Sequence, residues 1–271
     1  MGTWAVKVSA LPGVPAPSVL AELADVMVGP FLALDPVVDE GPALTTETGL
    51  KPLVEHLATR PNFSAVGRSN YESSFRWNKY FKPHSPVVST GSVTTFVEAS
   101  AVEAEVLLEA LVASTQVLDA PFASLDLGGF AERDRVHVAL FQEGKTGNDR
   151  IAGLGRGLSG VPWRTVLGPV LVDFFGVDVL RSLPSELARE VAEGFWLLTP
   201  CEQNDEWDAA RWCSGEEQII EALGRDRFFD PASGTLPTEY APLPSIASIP
   251  VKAEQPTSRG EWEFHNGYPA E

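Results

Sequence analysis

The 271-residue chain is expected to fold as α+β, with a mixed, mainly antiparallel sheet and helices packed on one face. Three observations predict this class. Short segments alternate apolar and polar residues with the two-residue period of a strand. One long segment, 101–117, is rich in Ala, Leu and Glu with apolar residues at helical spacing. Between Ser92 and Phe141 these units follow in the order strand, helix, strand, strand, an order that builds a sheet with helices on one side.

Taken in order, Thr3 to Ala10 places Trp4, Val6 and Val8 on one face and Ala5, Lys7 and Ser9 on the other, which predicts a strand with one buried face. Prolines at 12, 15 and 17 punctuate it, and Ser18 can cap a helix carrying Leu20, Leu23 and Val26. A helix is expected over 49–59 and a short strand over 62–68. Ser92 to Ser100 alternates as a strand. Ala101 to Val117 is the clearest helix, with Val102, Val106, Leu107, Ala110 and Leu111 on its apolar stripe. Pro121–Leu127 and Arg135–Phe141 return as strands. The segment Gly160–Gly176 reads as an amphipathic helix, since Trp163, Val166, Leu167, Val170, Leu171 and Phe174 fall near i, i+3, i+4, i+7 spacing. Ser159 or Thr165 can cap it, and Gly168-Pro169 should make it bend or start late. A helix over 184–193, a strand over 195–199 and a last helix over 215–223 complete the series. The chain reads as one domain over 1–230, followed by a tail over 231–271 with seven prolines and little periodicity.

Charge and cysteine content narrow the functional classes. With 37 acidic against 20 basic residues the net charge is −17. That balance opposes nucleic-acid or anionic-membrane binding, which requires Lys and Arg against phosphate, and it suits capture of a basic partner. No segment is apolar enough over a sufficient length to span a bilayer, and no leader pattern opens the chain. Cys201 and Cys213 are the only cysteines. The expectation is two reduced thiols in a cytoplasmic protein.

Motifs for chemistry fail on inspection. Gly155, Gly157 and Gly160 match G-x-G-x-x-G, but turn formers rather than a strand precede them. Gly144-Lys145-Thr146 resembles the end of a phosphate loop whose first glycine is replaced by Ala139. His56, His84, His137 and His265 are scattered, and neither cysteine has a neighbouring His, so zinc spacing is absent. No catalytic residue, cofactor or metal is therefore expected. His137 reads as a sheet histidine.

Two charge features remain. Residues 186–221 hold ten acidic groups against Arg189 and Arg211. At their centre, Glu202, Asp205, Glu206 and Asp208 surround Trp207. Carboxylates pair Lys and Arg while an indole adds apolar area and cation–π attraction, which is a chemistry for docking a cationic surface. The competing reading is a solvated acidic loop with Trp207 turned into the core. The second feature, Tyr71 to Lys82, interleaves aromatic and basic residues. It could stack on single-stranded nucleic acid, but it reads better as an extended segment with its aromatics inward.

From about Ser85 to Arg225 the order of elements resembles the bacterial immunity proteins paired with polymorphic or type VI secreted toxins. The resemblance rests on the strand–helix–strand unit Gly91–Leu127 and on Gly160-Val-Pro-Trp-Arg-Thr-Val-Leu-Gly-Pro169, similar to a G-V-x-W-x-x-x-L-G helix entry. It extends through Gly194-Phe-Trp-Leu-Leu-Thr-Pro200. It covers about half the chain, its motifs are short and structural, and no functional residue carries over from it. The resemblance implies a non-catalytic protein that binds and occludes a cognate toxin with a basic surface, and Glu202, Asp205, Glu206, Trp207 and Asp208 are its candidate contacts. The alternatives are an assembly protein of a phage or secretion system, or an enzyme whose site, for example His137 with Asp126, assembles only in three dimensions. Oligomeric state is open.

Overall fold

The computed structural model describes residues 3–10, 16–27, 36–40, 62–67, 72–76, 91–100, 102–127, 158, 160–202 and 214–228. Among the described residues, nine strands form one sheet: β1 (Thr3–Ala10), β2 (Pro36–Glu40), β3 (Asn62–Gly67), β4 (Glu72–Arg76), β5 (Gly91–Glu98), β6 (Phe122–Leu127), β7 (Arg164–Leu167), β8 (Ala188–Ala192) and β9 (Phe195–Leu198). Their order is β2-β3-β4-β5-β1-β6-β7-β9-β8, and every neighbouring pair is antiparallel. The helices are α1 (Pro17–Met27), α2 (Ala104–Val117), α3 (Pro169–Phe175), α4 (Val177–Ser182) and α5 (Ser214–Leu223), with a 3-10 turn at Arg225–Arg227. The fold is α+β.

β1 sits at the middle of the sheet, between β5 and β6, and this changes its expected burial. Trp4, Val6, Val8 and Ala10 enter the core as the alternation requires, but Ala5 and Ser9 on the opposite face are buried too. A central strand has cover on both faces, whereas alternation alone suggests one. On α2, Leu107, Ala110, Leu111, Ser114 and Thr115 are buried at helical spacing. Val106 is the exception to the expected stripe and faces solvent. The helix stops at Leu118, where Asp119 takes a left-handed φ of 45° and the Ala120 amide donates to the Thr115 carbonyl at 2.8 Å.

The segment expected as one helix over 160–176 is a strand followed by a helix. Residues 164–167 pair with β6 on one side and β9 on the other. Thr165, Val166 and Leu167 are all buried, because β7 is covered on both faces, and a strand buried on both faces mimics helical apolar spacing over so short a run. Gly168 is the break. Its amide donates to the Pro121 carbonyl at 2.9 Å, and a Cβ there would fall 2.0 Å from the Ala120 carbonyl oxygen. Pro169 then opens α3, where a missing N–H costs nothing.

The helix expected over 184–193 is also overturned. One helical turn forms, with the Ala188 amide bonded to the Pro184 carbonyl at 3.0 Å, and the chain then leaves it as β8. A two-residue turn at Glu193-Gly194, with Gly194 at φ +74°, returns it as β9. Pairing with β9 outweighs a helix too short to stand alone.

Helices cover both faces of the sheet's C-terminal end. One apolar cluster joins α1 and α2 to β1, β5, β6 and, through Val166 and Leu197, to β7 and β9. The other joins α3, α4 and α5 to Leu167, Trp196 and Leu198, the alternate residues of the same strands. Helices on one face were expected, and that holds for α1 and α2 alone. Strand β9 is buried at all four positions and needs cover on both sides. The expected helix over 49–59, the strand over 135–141 and the tail over 231–271 lie outside the described residues.

Candidate functional site

In sequence, the acidic segment around Trp207 lies between the end of β9 and the start of α5. These two points are adjacent. Gly215 packs so closely on Pro200 that a Cβ would lie 2.0 Å from the Pro200 carbonyl oxygen, and Leu187 closes the same gap from the side. Cys201, at this junction, is disulfide-bonded, and Cys213 is the chain's one other cysteine. The expectation of two reduced thiols is therefore corrected.

Arg164 locks the same corner from β7. Its Nη1 donates to the carbonyls of Trp163 and Cys201, both at 3.0 Å, and its Nη2 to the Glu202 carbonyl at 3.3 Å. The guanidinium lies 3.9 Å from the centre of the Trp163 ring, which stacks on Trp4 with centroids 5.3 Å apart. Desolvation lowers the Arg164 pKa from its ordinary value, with Arg189 acting in the same direction and Glu105 and Glu202 opposing. The side chain stays a cation. A planar fork with five donors is the one side chain able to hold three carbonyls while lying on an indole.

Of the five candidate contacts, Glu202 is placed: it is exposed, directly after Cys201, with its carbonyl held by Arg164. Asp205, Glu206, Trp207 and Asp208 lie outside the described residues. The surrounding acidic groups separate by role. Glu216 is fully buried and its Oε1 accepts the Val161 amide at 2.8 Å, tying α5 to the entry of β7. Glu217 and Glu221 pair with Arg225 at the end of α5. Glu190 accepts the Gly194 amide at 3.1 Å inside the β8–β9 hairpin. Glu186, Glu193 and Glu202 are exposed. Glu190, Glu216, Glu217 and Glu221 are thus engaged within the fold, and of the exposed remainder Glu202 stands at the corner that Arg164 locks.

Sequence reasoning missed a second polar group of side chains at the centre of the sheet. Lys7 of β1 stands opposite Ser124 of β6, and Ala5 stands opposite Asp126. Ser124 and Asp126 are buried, and the Ser124 hydroxyl has no hydrogen-bond partner. The signal was present in the polar half of each alternating strand, but alternation assigned that half to solvent. Asp126 is one of the residues named for a three-dimensional enzyme site; its companion, His137, lies outside the described residues. The strand β4 occupies part of the aromatic–basic segment 71–82, paired between β3 and β5. Among the described residues no cluster of His, Cys, Asp and Glu is placed to hold a metal ion. No described helix is long and apolar enough to cross a membrane.

No protein-family model matches the chain, and no curated protein matches it. Among solved structures it is similar to Pseudomonas aeruginosa T6SS protein PA0821, with a TM-score of 0.55 at 13% sequence identity. The match covers 85% of this chain and 75% of that one. At this identity the likeness is one of fold.

Proposed function

We propose that this chain is an immunity-type protein of a type VI secretion setting, which binds a cognate toxin domain one to one and covers its working surface without catalysis. The observation that carries the reading is the fold shared over 85% of the chain with a T6SS protein of Pseudomonas aeruginosa. The net charge of −17 supports it, because an acidic inhibitor is steered toward a basic cleft and associates fast. The exposed Glu202, fixed at its root by Arg164, is the described end of the contact surface, which continues through Asp205, Glu206, Trp207 and Asp208. The toxin has a basic surface of the kind that cradles phosphate; this protein needs no cofactor and takes no nucleic acid itself.

A second reading, a structural component of a secretion apparatus, draws on the same likeness of fold. The test is affinity capture with the tagged chain from its own cells, followed by expression of each captured protein alone and together with the chain. The immunity reading expects a captured protein that arrests growth alone and is silent in co-expression. Capture of secretion-apparatus components with no toxicity to neutralise would transfer the reading to assembly.

A further inference from the structure

We infer that the outer layer formed by α1 and α2 is a docking face for a partner protein whose surface is rich in Lys and Arg. The inference needs a basic partner and does not need that partner to be a toxin. The two helices lie in one layer, where Leu23 of α1 shares an apolar cluster with Leu107 and Leu111 of α2. Neither helix contains a Lys, Arg or His. Their solvent sides carry Glu22 and Asp25 on α1 and Glu105 and Glu109 on α2, all exposed. On α2 the exposed stripe runs through Glu105, Val106, Glu109 and Gln116 at helical spacing. Val106, 41% exposed, is the one large apolar side chain open to solvent among the described residues. An apolar contact flanked by carboxylates complements a long Lys or Arg, which lays its methylenes on the one and its charge on the other.

Two of these charges work against the fold. Glu109 stands one helical turn from Glu105, and Asp25 one turn from Glu22, spacings at which like charges repel. Asp25 also lies in the last turn of α1, the negative end of that helix. The acidic residues of α5, on the opposite face of the sheet, behave differently: Glu216 accepts the Val161 amide, and Glu217 and Glu221 pair with Arg225. A cationic partner removes the repulsion on docking, so a cost in the free chain becomes a gain in the complex. The face also reaches the corner around Arg164. Desolvation lowers the Arg164 pKa while Glu105 and Glu202 both oppose it, which places the start of α2 and the exposed Glu202 around one guanidinium. One partner can span both.

The test titrates the full chain, isotope-labelled for NMR, with a synthetic helical peptide of lysine and leucine. The peptide stands in for any basic partner, so the outcome is independent of whether a growth-arresting toxin is captured. Shifts should gather on α2 and the second half of α1, with the Val106 methyls among them. Asp25→Asn/Glu109→Gln should weaken binding roughly fivefold and yet melt about 1–3 °C above the parent, because its repulsion is relieved. Asp173→Asn/Glu186→Gln removes the same charge from the side of the sheet that α3 and α4 cover, and should change binding less than about twofold. Equal weakening by the two variants would reduce the effect to net charge and overturn the docking face. Absence of binding, shifts gathered elsewhere, or a lower melting point for Asp25→Asn/Glu109→Gln would overturn it as well.

Discussion

At the scale of single residues, two polar side chains hold the C-terminal half of the fold in place. Glu216 is a carboxylate buried against α5's own core, and the Val161 amide is its partner. Glu216→Ala strands that amide, and urea unfolding should show a loss of about 1–3 kcal/mol. Glu216→Gln keeps an acceptor in the same place and should lose less. Equal losses for the two variants would mean that charge, not the hydrogen bond, matters there. Arg164 makes a parallel case. Arg164→Lys retains the cation but has no fork to span three carbonyls, so a loss of about 1–2 kcal/mol is expected, with faster amide hydrogen exchange around Cys201. Unchanged exchange would separate Arg164 from the corner. Neither role was legible in the sequence, where Glu216 counted as one of ten acidic residues and Arg164 as the polar member of an amphipathic helix. Charge counting assumes solvent, and burial is a property of the assembled elements.

At the scale of elements, the sequence was most legible where a strand or helix follows one period without interruption. β1, β5, β6, α2, β9 and α5 all lie within a few residues of their expected spans. It was least legible where strands are buried on both faces, as β7 is, because an apolar run then carries no period. Gly168-Pro169 did announce a break, but only the fit of Gly168 against Ala120 shows how sharp that break is. If 164–167 is a sheet strand, Leu167→Ala should cost about 2–5 kcal/mol by opening a cavity between α3 and the sheet. The amides of Val166 and Leu167 should also exchange as slowly as those of β6. Fast exchange at these amides, with slow exchange beginning at Val172, would restore the helical reading of the segment. The β8 edge makes the converse point. Arg189 and Glu190 are exposed there and the register shifts between Glu190 and Ala192, features that blunt an open edge against pairing with another sheet. A run expected as part of the 184–193 helix is in fact the guarded rim of the sheet.

At the scale of the whole molecule, the proposed contact surface would start from the corner between β9 and α5 where Arg164 holds the carbonyls of Cys201 and Glu202. Of the five candidate contacts, Glu202 is the one that lies among the described residues. The corner itself, made by Arg164, Pro200, Cys201 and Gly215, was invisible because its members come from three elements distant in sequence. The central claim is that protection is stoichiometric occlusion. The most direct measurement is titration of the captured toxin's activity with this chain, alongside the Asp205→Lys/Glu206→Lys/Trp207→Ala variant. The account predicts that activity falls linearly to zero at one chain per toxin, and that the variant requires at least tenfold more protein, with the difference shrinking at high salt. Protection complete at a small fraction of one equivalent would reveal an enzyme, and a variant as potent as the parent would move the contact surface away from the acidic segment.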